Sequence, residues 1–376
     1  MLLKLKMSNF IEKTLKWSQY DTFNEVDPFN PANNVEGFIC KDSNDNYGSL
    51  YITKINGIAY PQLISCTPKL HYPFQTKADS SRRYLFPSAR KIESYEKLDG
   101  TNILAFKYEG KDKYYSCKTR LRPFVGSGKF GDFLSMVSRV IGDSEWKEIK
   151  RLVDNLGVNL SFELYGSDNR HLVVYKEQLA IALLFGVNKD IILPPSKINT
   201  WLPKPMLFNE ITADYVYNYE LERETLNSSL RKTEDGYYEG SEGAVWYLET
   251  KAGTVIMLKC KPETIETIHF SMGNLSKNVV IATCFNAYEN TENPTVDFIK
   301  ELLEEDLPKP IVEDNSKMIE SCLAYVRGEV EFRQLVFDKL RGMCYDMSQK
   351  GEILREMSKH FPKSQMRKVH NTIYKS

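Results

Sequence analysis

The feature that most constrains this chain is a change of texture near Glu263. Before it, apolar residues come in short alternating runs broken by Gly, Pro and Asn, the pattern of strands and turns. After it, they recur at helical intervals over Pro294–Glu305, Lys317–Gln349 and Glu352–Tyr374. The pattern predicts an α+β chain of two parts: residues 1–265, with a β-rich segment 1–90 and a second block 91–265, followed by a helical domain, 266–376. A length of 376 residues suits that division.

Within the first part, short β-favouring pieces run from Tyr47 to Phe74, and the polar stretch Thr76–Arg83 reads as an exposed loop. Asn102–Tyr108 and Lys113–Cys117 flank a Gly-containing turn and predict a hairpin. Phe130–Ile141 and Ser144–Leu156 have helical spacing, the latter capped by Asp143 and closed by Gly157. Strands are expected at Val158–Leu164, Leu172–Tyr175, Leu179–Val187, Gly243–Leu248 and Thr254–Cys260. Helix formers fill Asp214–Arg231, and prolines mark a connection over Ile191–Pro205. In the last part Met318, Ile319, Cys322, Leu323 and Val326 make one apolar face, a core stripe rather than a cofactor box.

Fifty basic and fifty acidic side chains cancel, so any affinity for a polyanion must come from a local cluster. Seven scattered cysteines without a C-x-x-C pair argue for reduced thiols and against a zinc site. The start lacks a secretory signal, and the apolar run Leu179–Val187 is far too short to span a bilayer. The expected location is the cytoplasm, or the host cytoplasm for a viral protein.

Four short segments carry candidate chemistry. Glu96-Lys97-Leu98-Asp99-Gly100-Thr101-Asn102 sets a lysine where a strand meets a turn. A lysine attacks phosphorus only as the free amine, which burial or neighbouring cations favour. Glu163 ends a strand in Ser161-Phe162-Glu163-Leu164-Tyr165-Gly166, and Glu242 precedes one in Glu239-Gly240-Ser241-Glu242-Gly243. A carboxylate so placed suits Mg²⁺, which needs few protein ligands when phosphates supply the rest. Lys259 and Lys261 close an apolar strand two residues apart, on one face, where a bound anion would relieve their repulsion. Singly, each could be a solvated turn or strand end.

In this order the four segments resemble motifs I, III, IV and V of the covalent nucleotidyltransferases: DNA ligases, RNA ligases and mRNA capping enzymes. The likeness runs from about Tyr60 to Lys261 and is nearest to phage-type RNA ligases. Asn102 stands where DNA ligases and capping enzymes carry arginine. Phe162 through Tyr175, with Asn169-Arg170 before an apolar run, is similar to the extended motif III of those RNA ligases, and Leu183–Val187 to motif IIIa. Pro68–Phe74 is similar to the segment preceding their nucleophile, which carries over Lys69. Lys118-Thr119-Arg120 resembles motif Ia; Arg120 or Arg122 is its arginine.

The resemblance implies an ATP-grasp-like ligase domain of antiparallel sheets with flanking helices, followed by an all-helical C-terminal domain. It implies an RNA ligase in which Lys97 takes AMP from ATP, with Asp99, Lys259 and Lys261 assisting. Glu96, Gly100, Asn102, Arg120, Glu163, Phe185, Glu242 and Lys69 would contact the nucleotide, with adenine near Phe185. Glu242 and Glu163 would engage Mg²⁺ or Mn²⁺. The expected partner is RNA with 5′-phosphate and 3′-hydroxyl ends, single-stranded or broken tRNA as in RNA repair, with no membrane. The C-terminal helices could hold a homodimer.

Two rivals stand beside it. One is a DNA ligase or capping-type guanylyltransferase using the same lysine; the other is a helical RNA-binding protein with a degenerate nucleotide site. Gly126–Gly131 also fits G-x-G-x-x-G and part of a P-loop, but Pro123 and Phe130 break the second pattern. A loop touching nucleic-acid backbone suits it better.

Overall fold

The computed structural model describes residues 10–374 other than 43, 77–81, 127–132, 170, 190, 234–236, 271–274, 305–306, 308–311, 314 and 344–348. The glycine-rich stretch after Gly126 and most of the Asp306–Pro310 connector lie outside the described residues. The chain forms two compact units, one of residues up to 126 with 133–267, the other from 268 on.

The first unit opens with strands β1 (Tyr20–Val26), β2 (Asn34–Cys40), β3 (Leu50–Ile55) and β4 (Ile58–Ile64), an antiparallel meander. The short strands β5 (Phe74–Thr76) and β6 (Arg82–Tyr84) pair antiparallel, and most of the expected exposed loop, Thr76–Arg83, lies outside the described residues. Phe74 and Tyr84 pack edge to face with each other and with Tyr219.

Next come β7 (Ala89–Lys97), β8 (Thr101–Glu109) and β9 (Lys113–Thr119), with β8 and β9 the expected hairpin. Helices α1 (Phe133–Val140) and α2 (Asp143–Leu156) lead into β10 (Asn159–Tyr165), β11 (Ala180–Asn188) and β12 (Ile191–Leu193). At the start of α2 the Glu145 carboxylate, not Asp143, accepts the Gly142 N–H at 3.0 Å. Then follow β13 (Leu207–Ile211), α3 (Tyr215–Ser229), short strands β14 (Arg231–Lys232) and β15 (Tyr238–Glu239), β16 (Gly243–Thr250) and β17 (Val255–Cys260).

Two antiparallel sheets dominate, ordered β12-β11-β10-β8-β9 and β13-β7-β16-β17. Period-2 alternation sorts their side chains into layers. In β8, Ile103 and Ala105 join a core with Ile149, Leu152 and Val153 of α2, whereas Leu104, Phe106 and Tyr108 point into a second core. That second core also takes Tyr95, Tyr247 and Met257 from the other sheet and Val35, Leu50 and Ile52 from the meander. The opposite face, Ile92, Trp246 and Leu258, packs on Tyr219 and Leu226 of α3. The two sheets therefore face one another across a shared interior.

Leu172–Tyr175 is not a strand; it contributes a single bridge, Val173 to Tyr238. The backbone N–H groups of Leu172 and Val173 are taken by the Asp99 carboxylate, so they cannot serve a ladder.

Helix α4 (Glu263–Phe270) leaves the first unit. In the second, α5 (Lys277–Asn290), α6 (Val296–Glu304), α7 (Ser316–Arg341), α8 (Lys350–Met357) and α9 (Met366–Tyr374) follow, with no strand among the described residues. The predicted stripe on α7 is core, packed on α5 and α6, while Val336 farther along joins Ile353, Met357, Val369 and Ile373. Helix α7 stops at Gly342, short of the predicted Gln349, and Phe361-Pro362 divides the last predicted helix in two. No described helix is long and apolar enough to cross a membrane.

Candidate active site

Register builds the site. Lys97, the last residue of β7, pairs with Gly243, the first of β16, so Glu242 lies beside the lysine. Ala244 pairs with Cys260, which brings Lys261, just past β17, to the same spot. The Glu242 carboxylate consequently takes both ammonium groups: Lys97 on Oε2 and Lys261 on Oε1, the latter at 3.1 Å. Glu242 and Lys261 are buried, and the Lys97 side chain keeps 23% of its exposure. Burial alone would raise the Glu242 carboxyl, but the two lysines outweigh it and hold it at about 2. Gly243 must be glycine here, because a Cβ would lie 2.3 Å from the Cys260 carbonyl.

Across the interior, β8 and β10 set Asn102 opposite Glu163. Burial pushes the Glu163 carboxyl up to about 8; Lys97 and Arg120 pull it down, and Glu242 and Asp99 push it further up. Those influences mark Glu163 as sharing one field with the Lys97 cluster. Among the described residues no side chain donates a hydrogen bond to it. Asn102 is engaged within the protein. Its Nδ2 donates to Ser161 Oγ (2.9 Å) and the Phe162 carbonyl (3.0 Å), and its Oδ1 accepts from Thr67 (2.8 Å). The amide braces β8 against β10.

The turn between Lys97 and Asn102 is stitched down. Asp99 Oδ2 accepts the N–H groups of Leu172 and Val173 at 2.7 and 2.8 Å. Burial and the nearby Glu242 raise its carboxyl above the usual range. Gly100 sits on the end of β10, where a Cβ would fall 2.1 Å from the Leu164 carbonyl. The Asp-Gly pair thus has a structural explanation: one residue collects backbone donors and the other permits close approach.

Lys259 lies on the same face of β17 as Lys261 but has its own neighbour, the Tyr72 ring, 4.4 Å from its Nζ. The expected repulsion between the two lysines is therefore relieved by a carboxylate and an aromatic face. Lys69 is half-buried on the segment leading to His71, whose carbonyl accepts the Lys259 N–H at 2.9 Å. The Arg120 guanidinium stands 5.7 Å over Tyr47, and its buried Nε has no partner among the described residues. Arg122 lies instead beside Gly126.

Phe185 is 3% exposed and packs edge to face on Tyr247 at 6.3 Å within the shared core. Glu96 alternates with Lys97 along β7 and acts electrostatically on Tyr165 and Tyr175; burial raises its carboxyl and a hydrogen bond from Ser241 opposes the rise.

Lys118 lies on β9, two residues before Arg120. It is fully buried, and its Nζ donates to the Thr119 and Arg120 carbonyls at 2.8 Å and to Cys66 Sγ at 3.4 Å. Burial lowers its pKa. Its alternation within β9, pointing inward with Ser116, was the available signal.

The oxygen donors that the site offers a cation are the Glu163 and Glu242 carboxyls. No described cluster of three or more His, Cys, Asp or Glu could hold a metal. Among the described residues no side chain donates to the Glu163 carboxyl, while Glu242 takes Lys97 and Lys261.

No protein-family model matches the chain, and no curated protein sequence matches it. Among solved structures it is similar to an archaeal ATP-dependent RNA ligase, with 12% identity over 97% of this chain and 94% of that one, at a TM-score of 0.46. It is similar to an Aquifex aeolicus protein described as an ATP-dependent DNA ligase, with 13% identity over 86% and 78% of the chains and a TM-score of 0.42. A lysine variant of a Naegleria gruberi RNA ligase, solved with ATP and Mn, shows 11% identity over 66% and 98%, with a TM-score of 0.32.

Proposed function

We propose that this chain is an ATP-dependent RNA ligase of the covalent nucleotidyltransferase superfamily, in which Lys97 carries AMP. One observation carries the reading. Two lysines from different strand ends meet on one buried carboxylate, and the partly exposed one belongs to a Lys-x-Asp-Gly turn and shares an electrostatic field with Glu163.

In the resting protein Lys97 is ion-paired. The attacking amine must be free of its proton, so bound nucleotide has to release it from Glu242. The Lys97 Nζ to α-phosphorus bond then forms as the bond to pyrophosphate breaks, and the amine proton leaves to solvent. Lys261, and Lys259 once turned from Tyr72, balance charge on the departing phosphates. Arg120, with its unpartnered Nε, offers a donor to ribose or phosphate. A divalent ion held by Glu163, with Glu242, would supply charge neutralisation at the phosphates. In the later steps AMP passes to a 5′-phosphate end, and a 3′-hydroxyl displaces it.

RNA is favoured over DNA by Asn102 in the position where arginine marks DNA ligases and capping enzymes. The wholly helical described residues of the second unit favour it too, since those families resemble each other in carrying a β-barrel there. Broken tRNA or another single strand is the proposed substrate.

Incubation with labelled ATP should yield a covalent AMP adduct that Lys97→Ala abolishes; an adduct persisting in that variant ends the proposal. Label from GTP in place of ATP would turn the reading to a capping-type enzyme, and sealing of nicked DNA alone to a DNA ligase. Complete absence of an adduct from the wild-type protein would leave the RNA-binding alternative.

A further inference from the structure

The segment after Glu163 reaches back to the nucleophile in a way its resemblance to motif III does not explain. Asp99, two residues past Lys97, donates its backbone N–H to the Tyr175 hydroxyl oxygen at 2.7 Å. Its carboxylate returns the contact by accepting Leu172 and Val173 N–H. The clasp is thus closed in both directions, by a main-chain donor on one side and a side-chain acceptor on the other.

Neighbouring bonds keep it in register. Asn169 Nδ2 donates to Thr101 Oγ1 at 3.0 Å and to the Leu164 carbonyl at 2.7 Å, fixing the start of β8 to the end of β10. Val173 is buried and bridged to Tyr238. The Tyr175 ring rests edge-on against Tyr165, with centroids 4.8 Å apart. Asn169 and residues 172–175 are therefore anchored around Asp99, and the hydroxyl comes from a ring that packs against Tyr165.

We infer that Tyr175 is a positioning residue for Lys97: its hydroxyl fixes the Leu98–Gly100 turn and, through it, the direction of the amine. The inference rests on the lysyl-AMP reading. Tyr175 acts on the turn and not on the nucleotide, so removing its oxygen disturbs aim without removing a ligand contact. The Asp99 N–H, deprived of its acceptor in a half-buried place, either stays unsatisfied or drags the turn toward water.

The test compares Tyr175→Phe, which keeps the ring and removes one oxygen, with Tyr165→Phe, whose hydroxyl is not bonded to the turn. Single-turnover AMP transfer is followed as a function of ATP concentration, with a thermal melt of each protein. Tyr175→Phe should lower the saturated rate roughly tenfold at unchanged half-saturating ATP, the size expected for one unmade hydrogen bond expressed in the transition state. Tyr165→Phe should load at the wild-type rate. A structural role alone would lower melting temperature and active fraction while leaving the saturated rate of the active protein intact, and that result overturns the inference. So does a wild-type rate in Tyr175→Phe. If the wild-type protein takes no AMP, the ligase reading falls and this inference with it.

Discussion

Replacing Glu163 by Gln removes a site carboxyl whose ionisation burial opposes. Its pKa rises from the ordinary 4.5 to about 8, chiefly through burial. At 1.36 kcal/mol per unit, that displacement is worth at most roughly 5 kcal/mol. Glu163 keeps partial contact with solvent, so about 2 kcal/mol is the working expectation. The sign follows from proton counting. Between pH 4.5 and 8 the folded carboxyl holds its proton and the unfolded one has lost it. Wild-type stability should therefore fall as pH rises through that window and level off above it. Gln cannot ionise and lacks this slope. Urea melts from pH 5 to 9 should show the two proteins nearly equal at pH 5, with Glu163→Gln more stable by about 2 kcal/mol at pH 8.5. ATP with Mg²⁺ should shrink the difference at pH 8.5, because a cation beside Glu163 favours its charged form. A gap constant across pH, or a wild type that gains on the variant toward pH 8.5, would refute both the burial argument and the placement of Glu163 in the site.

Gly100→Ala sets a Cβ 2.1 Å from the Leu164 carbonyl, so a melt should record a loss of about 2–3 kcal/mol and AMP labelling should collapse with the displaced turn. Glu242→Gln removes the carboxylate that Lys97 and buried Lys261 share and should cost about 3–5 kcal/mol at neutral pH, partly restored by adding Lys261→Met; AMP transfer should not return. Since Glu242 titrates at about 2, its contribution is complete above pH 4.5 and lost as acid brings the pH toward 2, where variant and wild type should converge. Phe185→Ala should destabilise by about 3–5 kcal/mol, equally with and without ATP, as a core ring does; a melt shift confined to the ATP-bound protein would restore it to the nucleotide pocket.

What the sequence made legible was whatever periodicity encodes. Alternation located β8, β9, β10, β11, β16 and β17, and helical spacing located the second unit, because burial of one face imposes those periods. Lys97, Glu242 and Lys261 could be proposed as partners only through resemblance, for nothing local joins residues 145 positions apart. Side-chain competition for the backbone was invisible. Leu172–Tyr175 has the composition of a strand, and only the arrival of the Asp99 carboxylate diverts its N–H groups. The register shift between Ser161 and Phe162, which separates the faces of Leu183 and Phe185, was equally invisible to a strand pattern read from sequence.

Register also explains why so much chemistry can rest on so few side chains. Lys97, Glu242 and Lys261 occupy the ends of three adjacent strands, and each reaches the others because Lys97 pairs with Gly243 and Ala244 with Cys260. A slip of one residue in β7 would turn Lys97 toward the α3 side and bring Glu96 inward in its place. The buried faces forbid that slip: Tyr95 would leave the shared core and Ile92 would leave the packing beneath α3. The aim of the amine is thus held in two ways, along the strand by hydrophobic alternation and at the turn by Asp99, Gly100 and their partners. Damage to the first should unfold the sheet, whereas damage to the second should leave a folded protein that transfers AMP slowly.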